Sequence, residues 1–123
     1  MKSRLARIVL ASLAPSMALV AGGPGGGKPT TITGVIVDTA CYIGHDAKGA
    51  GHAKCATLCA KAGIPLAVLE DASGLLYLPL SLDHKNPNEK LLPYVEKRVK
   101  VTGVVMQKGG MRGIVIREIS ESK

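Results

Sequence analysis

The 123-residue sequence contains no phenylalanine, no tryptophan and only three tyrosines. Proteins that bind single-stranded nucleic acid stack bases on aromatic side chains, so this scarcity argues against such binding although the whole chain carries a net charge of +7. Part of that charge comes from Lys2, Arg4 and Arg7. Without them, thirteen basic residues face nine acidic ones, a net charge of +4. We therefore expect no nucleic-acid partner.

The sequence also lacks an apolar run of about 18 residues, the usual length of a membrane-spanning helix. Its longest apolar run, residues 8–20, follows the three N-terminal basic residues and is soon followed by glycine and proline. This arrangement is typical of a secretory signal peptide. We predict a signal peptide at residues 1–21, a periplasmic or secreted protein, and no stable membrane span after cleavage. A retained N-terminal anchor helix is the alternative.

Regular secondary structure is expected only after residue 29. Residues 22–29 (GGPGGGKP) predict a flexible linker, because glycine and proline at this density cannot build a core. Residues 30–120 then form one small domain. A domain of this size has a limited core, so a metal ion or a disulfide would contribute appreciably to its stability.

The patterning of the domain predicts a mainly β fold. Strands are expected at residues 30–39, 66–70, 75–80, 97–106 and 113–119, a helix at residues 53–62, and a short helix within residues 86–95. Gly34 predicts a bulge or a close approach of two strands, and Asn88 predicts a helix N-cap. This order matches a small five-stranded OB-like barrel with a helical insertion between strands 1 and 2 and a short helix between strands 3 and 4. Another small β-barrel or a two-layer α+β sheet is the alternative.

The predicted insertion, residues 41–63, contains every cysteine of the chain and two of its three histidines. These are Cys41, His45, His52, Cys55 and Cys59, with the spacing C-x3-H-x6-H-x2-C-x3-C. Thiolate and neutral imidazole are the ligands that soft or borderline ions such as Cu(I) and Zn(II) prefer over oxygen. We therefore treat all five residues as candidate metal ligands.

Helical spacing indicates how part of this set converges. His52, Cys55 and Cys59 lie at positions i, i+3 and i+7 and would share one helix face. Cys41 ends the first predicted strand, and a glycine-rich loop after it would bring His45 back over that face. A closed tetrahedral site needs four ligands. The three cysteines with His52 are the favoured set.

A disulfide is the main alternative to a metal site. In an oxidising compartment, Cys41 paired with Cys55 or Cys59 would connect the strand end to the helix and stabilise the domain by about 3 kcal/mol. The cysteines could also be small core residues with solvated histidines beside them. The spacing matches no standard zinc-finger signature.

Catalytic motifs are missing from the sequence. It contains no C-x-x-C redox motif, no C-x-x-C-H haem motif and no phosphate-binding loop. Asp38 is near enough in sequence to orient an imidazole, but no recognisable nucleophile motif accompanies it, and His84 is expected on a surface loop. We predict that the protein is not an enzyme, with a thiol redox enzyme as the less favoured possibility.

Three segments carry a resemblance to known proteins. Residues 34–41 (GVIVDTAC), 51–65 (GHAKCATLCAKAGIP) and 99–105 (VKVTGVV) resemble small exported bacterial proteins with OB-like domains and a Cys/His-bearing insertion. The resemblance implies a fold and export but no activity. Taken with the ligand set, it leads us to expect an exported module that binds or handles Cu(I) or Zn(II), its partners being the metal ion and, optionally, another exported protein. A disulfide-stapled structural or partner-binding domain is the alternative.

Overall fold

The computed structural model describes residues 27–123, which form a mainly β structure with a five-stranded mixed sheet and two α-helices. The strands are β1 (Thr30–Asp38), β2 (Leu66–Glu70), β3 (Leu76–Pro79), β4 (Arg98–Lys108) and β5 (Met111–Glu121). The helices α1 (Thr39–His45) and α2 (Ala53–Lys61) both lie between β1 and β2. The predicted signal peptide, residues 1–21, and residues 22–26 of the predicted linker lie outside the described residues.

The strands pair in a ring. Their order is β1-β2-β3-β5-β4, and β4 pairs back with β1, so the pairing closes on itself. The β3–β5 pair is parallel and the other four pairs are antiparallel. The long β4–β5 hairpin turns at Gly109 and Gly110, which both have positive φ angles, as a two-residue hairpin loop requires. The prediction of a mainly β fold with five strands is confirmed.

Alternating residues of the strands fill the interior. In β1, Ile32 and Ile36 are buried, and they pack with inward residues of β2, β4 and β5. A strand places every second side chain on the same face, so this alternation follows from the pleat. Helix α2 adds Ala56 and Ala60 to the same cluster. The insertion is therefore packed against the core through one face of α2.

Gly34 lies where β1 and β2 approach each other closely. A Cβ atom at this position would collide with the carbonyl oxygen of Leu69. Gly34 pairs with Glu70 and Val35 pairs with Leu69, so Gly34 lies beside the carbonyl group of Leu69 at the end of the β1–β2 ladder. Of the two predictions for Gly34, a bulge or a close approach of two strands, the structure shows the close approach.

The connection between β3 and β4 differs from the prediction. It contains two 3-10 turns, Pro87–Lys90 and Leu92–Tyr94, where a single short helix was predicted. The N-cap of the first turn is Asn86, whose side chain accepts a hydrogen bond from the backbone N–H of Asn88, so the prediction of Asn88 as N-cap is wrong. Pro93 has no N–H and its ring disfavours a longer helix through this segment.

Replacing Gly34 with alanine tests the close approach. We expect Gly34→Ala to lower the free energy of unfolding by about 3 kcal/mol, because β1 and β2 must separate to admit the methyl group. Gly44→Ala is the matched control, since a Cβ atom there meets nothing within 4 Å and the residue lies in a helix. The control should be neutral or raise stability by about 0.5 kcal/mol. Equal effects of the two substitutions in denaturant unfolding would contradict this description.

Candidate metal centre

The three cysteines meet at one point of the structure. Cys41 lies on α1, and Cys55 and Cys59 lie on α2. Their sulfur atoms are all within 4.8 Å of one another. Cys55 is exposed, and Cys41 and Cys59 are half-buried. The three thiols therefore form a cluster that is open to solvent on the side of Cys55.

Helix α1 occupies a segment that the sequence predicted as a loop. Asp38, the last residue of β1, is its N-cap: the Oδ1 atom accepts hydrogen bonds from the backbone N–H groups of Ala40 at 2.8 Å and Cys41 at 3.1 Å. Aspartate is among the best N-cap residues, because its carboxylate satisfies N–H groups that have no partner within the helix. The helix ends at His45, and its C-cap is Asp46, a left-handed residue with φ of 52°. The cap turns the chain directly from β1 into a helix and fixes the position of Cys41.

Helix α2 presents Cys55 and Cys59 from the same side, because residues four apart lie above one another on a helix. Ala56 and Ala60 occupy its buried face. The chain leaves the helix at Gly63, which has φ of 101° as a C-terminal glycine requires. Small alanines on the inner face let α2 sit close to the sheet, and this places the two cysteines at its edge.

The side chain of Asn88 connects the end of α2 to the sheet through hydrogen bonds. Its buried amide donates hydrogen bonds to the carbonyl oxygens of Ala60 at 3.2 Å and Ile64 at 2.8 Å, and it accepts one from the N–H of Leu66 at 2.9 Å. One side chain thus satisfies three backbone groups that lie near the C-terminal end of α2 and the start of β2. Loss of these bonds would leave buried polar groups unpaired, at a cost of about 1–3 kcal/mol for each group.

The carboxylate of Asp38 is buried beside the thiols. Asp38 has no exposed surface, and its Oδ2 atom accepts no hydrogen bond of normal geometry. Burial by itself would raise the pKa of this carboxyl group. The backbone N–H of Cys41, the thiols of Cys59 and Cys41, and the backbone N–H of Ala40 outweigh the burial and hold the pKa below its usual value. The group is therefore an anion next to two sulfur atoms.

The same carboxylate keeps its neighbouring thiols protonated. Hydrogen bonding to Asp38, followed by burial and the negative charge of Asp38, raises the pKa of Cys59 to about 12. Burial, followed by the charge of Asp38, raises the pKa of Cys41 as well. Nucleophilic cysteines need a lowered pKa, because the thiolate is the reactive form. The surroundings of Cys41 and Cys59 raise the pKa of both thiols and so disfavour the reactive thiolate.

The structure places the candidate histidines outside the three-sulfur cluster. His45 is exposed at the end of α1. His52 precedes α2 in a 3-10 turn, and its Nδ1 atom lies 2.9 Å from Oε1 of Glu96. Neither belongs to the group of side chains whose ligand atoms lie within 4.8 Å of one another. His84, expected on a surface loop, is exposed in a turn with φ of 61°.

Glu96 is the group that holds the loop before α2. Its side chain is fully buried, and Oε2 accepts a hydrogen bond from the backbone N–H of Gly49 at 2.7 Å. Its own N–H donates to the carbonyl oxygen of Ile36 in β1 at 2.8 Å. Glu96 thus connects β1, the loop and His52. The residues that its side chain contacts are more than 40 positions away in the sequence, so local sequence patterns do not indicate this role of Glu96.

An apolar cavity on the surface of the described residues is separate from the cysteines. It has a volume of about 470 Å³ and is lined by apolar residues that include Ile43, Leu75, Leu76 and Met111. None of the three cysteines lines it. Ile43 lies on α1 two residues from Cys41, a spacing that puts the two side chains on opposite sides of a helix. The cavity therefore does not extend the cysteine cluster.

No family model, curated protein or solved structure matches this chain. Within residues 27–123, none of the helices has the length and apolar character needed to cross a membrane.

The surroundings of the three thiols predict an order of reactivity in the reduced, metal-free protein. Cys55 should be alkylated first by iodoacetamide, because it is the exposed cysteine. Cys59 should react last, because its pKa of about 12 keeps it a thiol at pH 8. Time-resolved mass spectrometry of the modified peptides measures this order. Faster labelling of Cys59 than of Cys55 would show that the arrangement of the cluster is incorrect.

Proposed function

We propose that this protein is an exported metal-binding or metal-handling module that holds one soft or borderline ion, such as Cu(I) or Zn(II), through Cys41, Cys55 and Cys59. The observation that carries the proposal is that all three sulfur atoms lie within 4.8 Å of one another. Three thiolates are the ligand type that such ions prefer. Every cysteine of the chain is used.

The separation of the sulfurs is compatible with coordination of one ion. Sulfur atoms about 2.3 Å from a tetrahedral Zn(II) ion are about 3.8 Å apart. From separations of up to 4.8 Å, the cluster must contract by no more than about 1 Å. Cys55 is exposed and on a helix surface, so a change of its side-chain torsion can supply this contraction.

The exposure of Cys55 supports transfer of the ion to another molecule as well as its retention in this protein. A ligand from another molecule can reach an ion bound at Cys55, whereas Cys41 and Cys59 are half-buried. Another exported protein is therefore a reasonable exchange partner. The proposal assigns no ligand role to His45 or His52, because both lie outside the three-sulfur cluster.

The proposal does not include catalysis. The raised pKa values of Cys41 and Cys59 disfavour a nucleophilic thiolate in the metal-free protein. A bound metal ion stabilises the thiolate form of the cysteines, because it takes the place of the thiol protons. The cluster is thus suited to a metal ion and poorly suited to thiol exchange.

Export and an OB-type barrel complete the proposal. The basic and apolar pattern of residues 1–21 supports a signal peptide. The closed strand order β1-β2-β3-β5-β4 supports the OB type, and the insertion lies between β1 and β2, a connection that OB-folds use for ligands.

A disulfide-stapled domain is the second candidate, and the same proximity of sulfurs favours it. Two of the three cysteines could pair in an oxidising compartment and connect α1 with α2. Thiol counting on protein isolated from its native compartment separates the candidates. One free thiol supports the staple, and three support the metal site.

Metal uptake tests the proposed function directly. The purified, fully reduced protein should bind about one equivalent of Zn(II) or Cu(I), because it has one three-thiolate cluster. Cys55→Ser combined with Cys59→Ser should abolish uptake, measured by elemental analysis after gel filtration. His45→Ala, which changes an exposed residue outside the cluster, should retain it. Stoichiometric uptake by the double cysteine variant would refute the proposal.

A further inference from the structure

One carboxylate oxygen beside the cysteine cluster has no partner other than the thiols. Among the described residues, Oδ2 of Asp38 is the single buried side-chain oxygen or nitrogen that accepts no hydrogen bond of normal geometry. Asp38 is completely buried, and only the weak thiol donors of Cys59 and Cys41 remain to compensate this oxygen. A buried charged oxygen with no strong donor is unfavourable, and native proteins seldom retain one without a reason.

The capping of α1 does not explain this oxygen. Only Oδ1 of Asp38 accepts the hydrogen bonds from Ala40 and Cys41. Asparagine or serine would cap the helix about as well and would bury no second charged oxygen. The presence of aspartate therefore points to a separate role for Oδ2.

The position of Oδ2 indicates what that role is. Oδ1 of the same carboxylate lies 3.1 Å from the backbone nitrogen of Cys41, so the carboxylate that carries Oδ2 lies next to a cysteine of the cluster. Asp38 also alternates with Ile32 and Ile36 along β1, and this inward direction is fixed by the strand. The strand and the helix cap together leave the carboxylate little freedom to turn away.

We propose that Asp38 is the fourth ligand of the metal site, giving a tetrahedral centre of three cysteine sulfurs and one carboxylate oxygen that selects Zn(II) or a similar divalent ion over Cu(I). This inference depends on the proposed function and specifies its ion. Asp38 is outside the group of atoms within 4.8 Å of one another, and its carboxylate is held by the helix cap, so the thiols, above all the exposed Cys55, must move toward Oδ2 when the ion binds.

Ligand chemistry supports the choice of ion. Zn(II) accepts carboxylate oxygen at about 2.0–2.2 Å together with thiolate sulfur. Three thiolates and one carboxylate carry the same formal charge as the four thiolates of common structural zinc sites. Cu(I) is a soft ion that prefers thiolate sulfur, so a carboxylate adds little to its binding.

Asp38→Asn is the sharpest test, because asparagine keeps the size and the helix cap and removes only the anionic oxygen. The affinities of the reduced variant and the reduced wild-type protein for Zn(II) and Cu(I) are measured by competition with chromophoric chelators. We expect the Zn(II) affinity to fall by about tenfold or more and the Cu(I) affinity to stay within about threefold, so that the preference for Zn(II) is lost. Co(II) should also lose the absorption of a tetrahedral centre in the variant.

Two controls separate ligation from an effect on folding. Asp46→Asn makes the same chemical change at the exposed other end of α1 and should alter neither affinity. Thermal unfolding of metal-free Asp38→Asn should show a folded protein that unfolds at or somewhat below the wild-type temperature, because the lowered pKa of Asp38 means that the fold stabilises its anionic form. If this variant is unfolded, Asp38→Ser, which also caps the helix but is too short to reach the ion, replaces it.

The outcomes distinguish the two proposals. Unchanged Zn(II) affinity in Asp38→Asn, or equal losses for Zn(II) and Cu(I), overturns the assignment of Asp38 while the three-cysteine site stands. A wild-type protein that binds neither ion overturns the proposed function itself. A selective loss of Zn(II) affinity supports both.

Discussion

The backbone hydrogen bonds at the end of β1 hold both ends of the insertion at one point of the sheet. Asp38 pairs with Leu66 in the β1–β2 ladder, and the carbonyl oxygen of Pro65 accepts hydrogen bonds from the backbone N–H of Thr39 at 3.1 Å and from its hydroxyl at 2.8 Å. The chain between these residues must therefore leave and return at the same place. Glu96 and Asn88 attach its middle and its end to the sheet, so the two helices have little freedom and their cysteines face one another.

Much of the fold follows from local sequence signals. The residue pattern predicted all five strands, and Gly34 predicted the close approach of β1 and β2, because only a residue without a Cβ atom fits there. The segment between β3 and β4 was harder to predict. Asn88 has the sequence features of a helix cap, but three backbone groups brought near it by the folded chain determine its role.

The candidate site shows the same division between local and distant contacts. Cys55 and Cys59 could be placed together because the spacing of residues on one helix is fixed. His52 shares that spacing, yet it lies just before α2 begins and pairs with Glu96, a contact between residues 44 positions apart. The burial of Asp38 could have been predicted from the sequence. Asp38 continues the inward alternation of Ile32 and Ile36 in β1, and this pattern places its charged group on the core side of the sheet.

Metal binding at this cluster would join the end of β1, α1 and α2, and in a domain this small such a link contributes directly to folding. The central claim is that three cysteine sulfurs and one carboxylate oxygen bind the ion, and X-ray absorption spectroscopy of the zinc-loaded wild-type protein tests it most directly. It should show three sulfur neighbours at about 2.3 Å and one oxygen at about 2.0–2.2 Å. A first shell made mainly of nitrogen and oxygen, or containing fewer than three sulfurs, would contradict the account.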